Sequence, residues 1–130
     1  MAIIVRDEQD RILLVRRSPG VSYAGMWCIP CGYVEWEEDV RAAAIRELGE
    51  ETGLDIEIDG IAAIHSNFHN PDQHTVGIWF DGHPVGGTLT PGDDADRAVF
   101  APLDQLPGEL AFPTDERVIA DLRNRAGRAL

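Results

Sequence analysis

Glu47, Glu50 and Glu51 stand at i, i+3 and i+4, the spacing that brings carboxylates to one face of a helix. With Val40 at zero and about 100° per residue, they fall at about 340°, 280° and 20°, an arc of about 100° in the last turn before Thr52 and Gly53. Ala43, at about 300°, lies beneath them and its small side chain leaves room. For stability alone this placement is unfavourable. A helix C-terminus carries partial negative charge, and like charges at these spacings repel by roughly 2 to 3 kcal/mol per pair at ~6 Å and an effective dielectric of ~20. A solvated charged face would interleave cations, and only Arg46 is nearby. A divalent cation with oxygen ligands removes the penalty, so the spacing points to a metal site.

The helix that must carry these groups is predicted over 39–51, with Asp39 as N-cap and Thr52-Gly53 as the stop. Val40, Ala44, Leu48 and Ile45 spread over about 140°, with Ala42 and Gly49 near 190°, and form the predicted core-facing side. Arg41, at about 100°, falls in the middle of that side as a misfit. Apolar runs at 2–5 and 12–15 bracket Asp7, Glu8, Gln9 and Asp10 and predict a hairpin. A loop follows at 18–24, then short strand pieces over 27–34 interrupted by Pro30 and Gly32. Strands are predicted at 56–64, 75–80 and 98–100, and a last helix over about 114–125. Strands and helices mix without regular βαβ alternation, so the expected class is α+β with a mixed sheet and flanking helices. The length suits one domain, 1–130, and no repeat or linker interrupts it.

The balance of 23 acids against 11 bases, all of them Arg, gives a net charge of −12. This argues against binding nucleic acid or an anionic membrane, which rests on clustered cations. No apolar run approaches the roughly 20 residues that span a bilayer, and no basic leader with an apolar stretch stands at the start. A cytoplasmic location is therefore expected. Cys28 and Cys31 lack the second pair that a four-ligand zinc site needs and read as reduced thiols. His65, His69, His74 and His83 fit no common zinc spacing.

Gly32, then Glu38 after five residues, then Arg46-Glu47-Leu48-Gly49-Glu50-Glu51-Thr52-Gly53-Leu54 after seven, meet every position of the Nudix box, G-x5-E-x7-R-E-U-x-E-E-x-G-U, where U is bulky and aliphatic. The chain thus resembles the Nudix hydrolases, tightly over 32–54 and loosely over most of its length. The resemblance implies an α/β/α sandwich, a Nudix fold with a mixed β-sheet and a loop-helix-loop catalytic motif. It also implies Mg2+-dependent (or Mn2+-dependent) hydrolysis of a nucleoside diphosphate linked to another moiety. By the same resemblance Glu47, Glu50 and Glu51 ligate metal with the Gly32 carbonyl, while Glu38 and Arg46 brace the loop against the helix. The catalytic set is then Glu38, Arg46, Glu47 and Glu50. The general base is either Glu50, the first choice, or a loop acid among Asp94, Asp96, Asp115 and Glu116, each of which also reads as a solvated surface acid. The family commonly has Gly where Cys31 and Glu37 stand, which bears on the loop conformation.

The partner expected is a small nucleotide, and the resemblance adds a homodimer. Arg16 and Arg17 are candidates to grip the outer phosphate, with a strand-end salt bridge as the alternative. Tyr33, Glu35 and Phe112 are candidate substrate contacts, and Trp36 also flanks the box. The run 28–35 and the 112–114 region look similar to bacterial pyrophosphatases of ADP-ribose and FAD type, with Pro71 a further hint. ADP-ribose leads, a (d)NTP pyrophosphohydrolase is the alternative, and a non-catalytic nucleotide sensor is the remote one, since sensors are expected to lose carboxylates that remain here.

Overall fold

The computed structural model describes residues 1–128. In chain order the elements are β1 (Ala2–Val5), β2 (Ile12–Arg17), β3 (Trp27–Cys28), α1 (Val40–Thr52), β4 (Leu54–Asn67), β5 (Thr75–Gly87), β6 (Ala95–Ala101) and α2 (Pro113–Arg128). One sheet has the order β1-β5-β4, with β1 parallel and β4 antiparallel to β5. The other is antiparallel, β3-β2-β6. The mixed sheet and flanking helices are the expected class.

The predicted β1–β2 hairpin does not form. The turn is present, with the Asp7 carboxylate accepting from the backbone N–H groups of Gln9 and Arg11, but only one bridge, Arg6 to Ile12, joins its two sides. The two strands then part into different sheets. The reason lies in the apolar runs themselves. Ile3, Val5 and Leu13 pack toward α1 with Ala44, Leu48 and Phe80, while Ile4, Ile12 and Leu14 pack with Trp79, Val118, Ile119 and Leu122 on the α2 side. Strands buried on both faces read as continuous apolar runs, whereas a free hairpin would leave one face wet. The result is a sandwich with a helix on each side.

β4 and β5 extend well beyond their predicted spans. The prediction stopped with the apolar residues, but pairing continues at Leu54 and Asp55, which face Gly87 and Gly86, and at His65, Ser66 and Asn67, which face Gly77, Val76 and Thr75. α1 is capped as expected. The Asp39 side chain accepts from Arg41 and Ala42, and Gly53, at φ 75°, returns its N–H to the Gly49 carbonyl. Its buried side is rotated from the predicted one, because Ala43, Ala44, Leu48, Glu51 and Thr52 are buried while Ile45 is exposed. The inward side thus includes one of the carboxylates. Arg41 finds its account here: its guanidinium lies 5.4 Å from the centroid of the Phe80 ring. Among the described residues no helix is long and apolar enough to cross a membrane.

Candidate active site

A single guanidinium ties the loop before α1 to the acids of its last turns. Arg46 Nε and Nη2 donate to the two Glu38 carboxylate oxygens at 2.7 and 2.9 Å, a bidentate pair. Arg46 Nη1 donates to Glu47 at 3.1 Å and to Glu50 at 3.3 Å, and Nη2 reaches the Tyr33 carbonyl at 3.4 Å. Arg46 thereby pulls the Glu38 carboxyl down to about 2. The inward acids behave oppositely. Burial raises Glu47 above the ordinary carboxylate range, against the pull of Arg46. Burial, reinforced by the neighbouring Cys31 and Glu47, pushes Glu51 up to about 9. Gly32 packs directly against the Glu47 side chain, and its carbonyl accepts from the Met1 amino group at 2.8 Å.

A second segment closes the site from the other side. In the connection from β5 to β6, Thr90 N–H donates to the Thr52 carbonyl at 2.7 Å and Gly92 N–H to the Glu51 carbonyl at 3.0 Å. These bonds satisfy carbonyls that a helix end leaves unpaired. Gly92 is needed for the approach, since a Cβ there would lie 2.7 Å from the Glu50 carbonyl oxygen. The contact carries Asp93 to the acids: carboxylate oxygens of Glu47, Glu50 and Asp93 lie within 4.8 Å of one another. Sequence reasoning missed Asp93, although it singled out Asp94 next to it. The available signal was an acid pair directly after a glycine turn.

The donor set fits a hard divalent cation. Its donor atoms are all oxygens, and the Glu51 Oε2 atom is buried with no hydrogen-bond partner among the described residues. Glu51 stands outside the group of three, with Glu47 among its charged neighbours, and its orphaned buried oxygen is costly while charged unless a cation completes it.

The remaining candidates sit apart from this cluster or at its margin. Arg16 forms a bidentate pair with Asp96 at 2.8 and 3.0 Å. Arg17 donates to the Ser22 carbonyl and hydroxyl and lies over the Phe112 ring at 5.2 Å. Phe112 also meets Tyr23 and His69, with ring centroids 5.6 and 5.3 Å away. Tyr33 and Glu35 are exposed on the loop, with Glu35 3.7 Å from Arg46. Asp94 and Glu116 are exposed. Asp115 lies inside the first turn of α2 rather than on a loop, buried and accepting from Ile29 N–H and Trp79 Nε1 at 3.1 and 3.2 Å. Burial raises its carboxyl to about 6. The histidines are dispersed: His65 packs on Trp79, His69 on Phe112, His74 on Phe68, and His83 against Asp59. Cys28 and Cys31 are free thiols.

The profile described as NUDIX domain matches residues 1–122. An ADP-ribose pyrophosphatase from Methanocaldococcus jannaschii is 36% identical over 116 residues, which cover 88% of this chain and 67% of that protein. The 8-oxo-dGTP diphosphatase of Escherichia coli is 29% identical over 126 residues, 92% of each chain. Among solved structures, the MutT protein from Methanosarcina mazei Go1 superposes with a TM-score of 0.79 at 26% identity, covering 97% of this chain and 91% of that one.

Proposed function

This chain belongs to the NUDIX domain family, and from that premise we propose that it hydrolyses the diphosphate linkage of a nucleoside diphosphate joined to another moiety, with ADP-ribose first. The observation that carries the reading is the acid cluster on an Arg46-clamped helix end, with one buried oxygen of Glu51 left unpartnered. Diphosphate is polyanionic and the chain carries −12, so the two need a cation between them. Glu47, Glu50, Glu51 and Asp93, with the Gly32 carbonyl, would hold Mg2+ or Mn2+. When bound, such a cation neutralises phosphate charge and lowers the pKa of the attacking water.

The protein's own groups divide the remaining work. Glu50 is the most exposed of the three box acids, with 45% of its side chain open to solvent, and is assigned to accept the proton of the attacking water. Arg46 and Glu38 position the helix end against the loop. Arg16 is neutralised by Asp96, whereas Arg17 bonds a serine and an aromatic face, which favours Arg17 for the outer phosphate. Water adds across the P–O–P bond, and ADP-ribose gives AMP and ribose 5-phosphate. A cytoplasmic setting, where small nucleotides are turned over, belongs to the same proposal. The family match over 1–122 supports a single domain.

The test is incubation with Mg2+ and a panel of ADP-ribose, FAD, NADH, diadenosine polyphosphates and (d)NTPs, with products separated chromatographically. AMP with ribose 5-phosphate is expected. Pyrophosphate from one dNTP instead would favour the second reading, which the 29% identity to an 8-oxo-dGTP diphosphatase supports. Glu50→Gln is expected to lose turnover by several orders of magnitude while remaining folded.

A further inference from the structure

We propose that Trp36 is a stacking seat for a planar nitrogen heterocycle of the substrate; the inference rests on the hydrolase reading above and names where the ring end of that substrate lies. Of the three tryptophans, Trp27 and Trp79 are 5% and 4% exposed, whereas Trp36 is 93% exposed. Tyr33, in the same loop, is 71% exposed. An indole left in water forfeits the gain of burial, and nothing in the packing of α1 or the sheets requires it there.

The seat is rigid. Glu38 N–H donates to the Glu35 carbonyl and Glu35 N–H to the Glu38 carboxylate, both at 3.1 Å, closing a turn with Trp36 and Glu37 at its tip. Glu37 holds φ 62° to complete it. Arg46 fastens the loop at Tyr33 and Glu38, and its Nη1 touches Glu47 and Glu50. Trp36 therefore stands on a turn separated from the reacting end by one guanidinium, and its backbone loses little freedom when a ring docks.

The surroundings set the polarity of the bound molecule. Glu35 and Glu37 flank Trp36 in the sequence and make this turn acidic, which disfavours phosphate there and leaves the diphosphate to the cation-binding acids. The face of an indole favours a neutral or cationic ring. Two rings share this chemistry, the nucleobase itself and a second heterocycle on the far moiety of a dinucleotide.

Intrinsic fluorescence reads the seat directly, because Trp36 is the tryptophan open to solvent. Wild-type protein with Mg2+ is titrated with AMP, nicotinamide mononucleotide and ribose 5-phosphate. Saturable quenching by AMP assigns the seat to the nucleobase, and quenching by nicotinamide mononucleotide assigns it to the second ring. Either supports the proposal, provided that ribose 5-phosphate does not quench and that Trp36→Phe abolishes the signal. In turnover, Trp36→Ala is expected to raise KM about tenfold with kcat within about twofold, and Trp36→Phe to restore most of the loss. Absence of quenching by both ring probes, or quenching that survives in Trp36→Phe, overturns the seat. If the panel yields products without quenching, this inference fails alone. Quenching without products sinks the hydrolase reading and leaves a nucleotide-binding seat.

Discussion

Gly32 and Glu47 are in such close contact that any side chain on the glycine would displace the glutamate: a Cβ on Gly32 would stand 2.6 Å from both Cγ and Oε1 of Glu47. Fifteen positions apart in sequence, the two residues fix the distance between the loop and the helix. Gly32→Ala is expected to push the Glu47 carboxylate out of the cluster, costing about 1 to 3 kcal/mol from overpacking and about a hundredfold in kcat. Urea unfolding and single-turnover rates check the two effects separately, and an unchanged kcat would show that Glu47 does not need its present place.

Added Mg2+ should raise Tm by mass action. At a concentration one hundred times Kd the gain is about 2.7 kcal/mol. Asp93→Asn should shift the Mg2+ dependence of Tm to roughly tenfold higher concentration, by analogy with the loss of other groups around metal sites. A Tm that ignores millimolar Mg2+ would count against the carboxylate site as a whole.

Asp115 gives stability a pH dependence of definite sign. Its carboxyl holds a proton up to about 6 in the folded chain, against 3.8 ordinarily, because burial opposes the charge. Between those values the folded state binds more protons than the unfolded state. Stability from this group is therefore present in full below 3.8 and declines as pH rises through about 6, by roughly 3 kcal/mol at most. Asp115→Asn should remove that slope. Urea midpoints of variant and wild type at pH 4.5 and 7 give the comparison, and a difference that does not change with pH would refute it.

Glu37 holds a left-handed backbone, φ 62°, where a Cβ is disfavoured. Glu37→Gly relieves that strain and adds entropy to the unfolded chain, for a net gain of about 0.5 to 1 kcal/mol. Thermal unfolding of the variant measures it, and a lower Tm would mean that the Glu37 side chain makes an interaction of its own.

What the sequence made legible was local. Asp39, Gly53 and the i, i+3, i+4 acids act within one helix, so caps and spacing placed α1 to within a residue. Contacts set by chain segments far apart were not legible. Asp93 reaches Glu47 and Glu50 only because backbone groups of Thr90 and Gly92 find the helix end. Arg16 meets Asp96 across 80 positions. The runs at 2–5 and 12–15 looked like partners because adjacency in sequence favours pairing, whereas burial on both faces sent them to different sheets. Burial of Glu51 and exposure of Ile45 broke the rule that apolar residues point inward and acids outward, on the helix that carries the acid cluster.

The two backbone bonds from Thr90 and Gly92 to α1 also govern how the molecule breathes. Helix ends ordinarily fray alone, but the last turn of α1 cannot open without releasing the strand connection that holds Asp93. The helix terminus and that connection therefore form one cooperative opening unit. Deuterium would enter the amides of Thr90 and Gly92 through shared openings, and each such opening would scatter the acids in the same instant. The lifetime of an assembled site is thus the closed lifetime of this one unit.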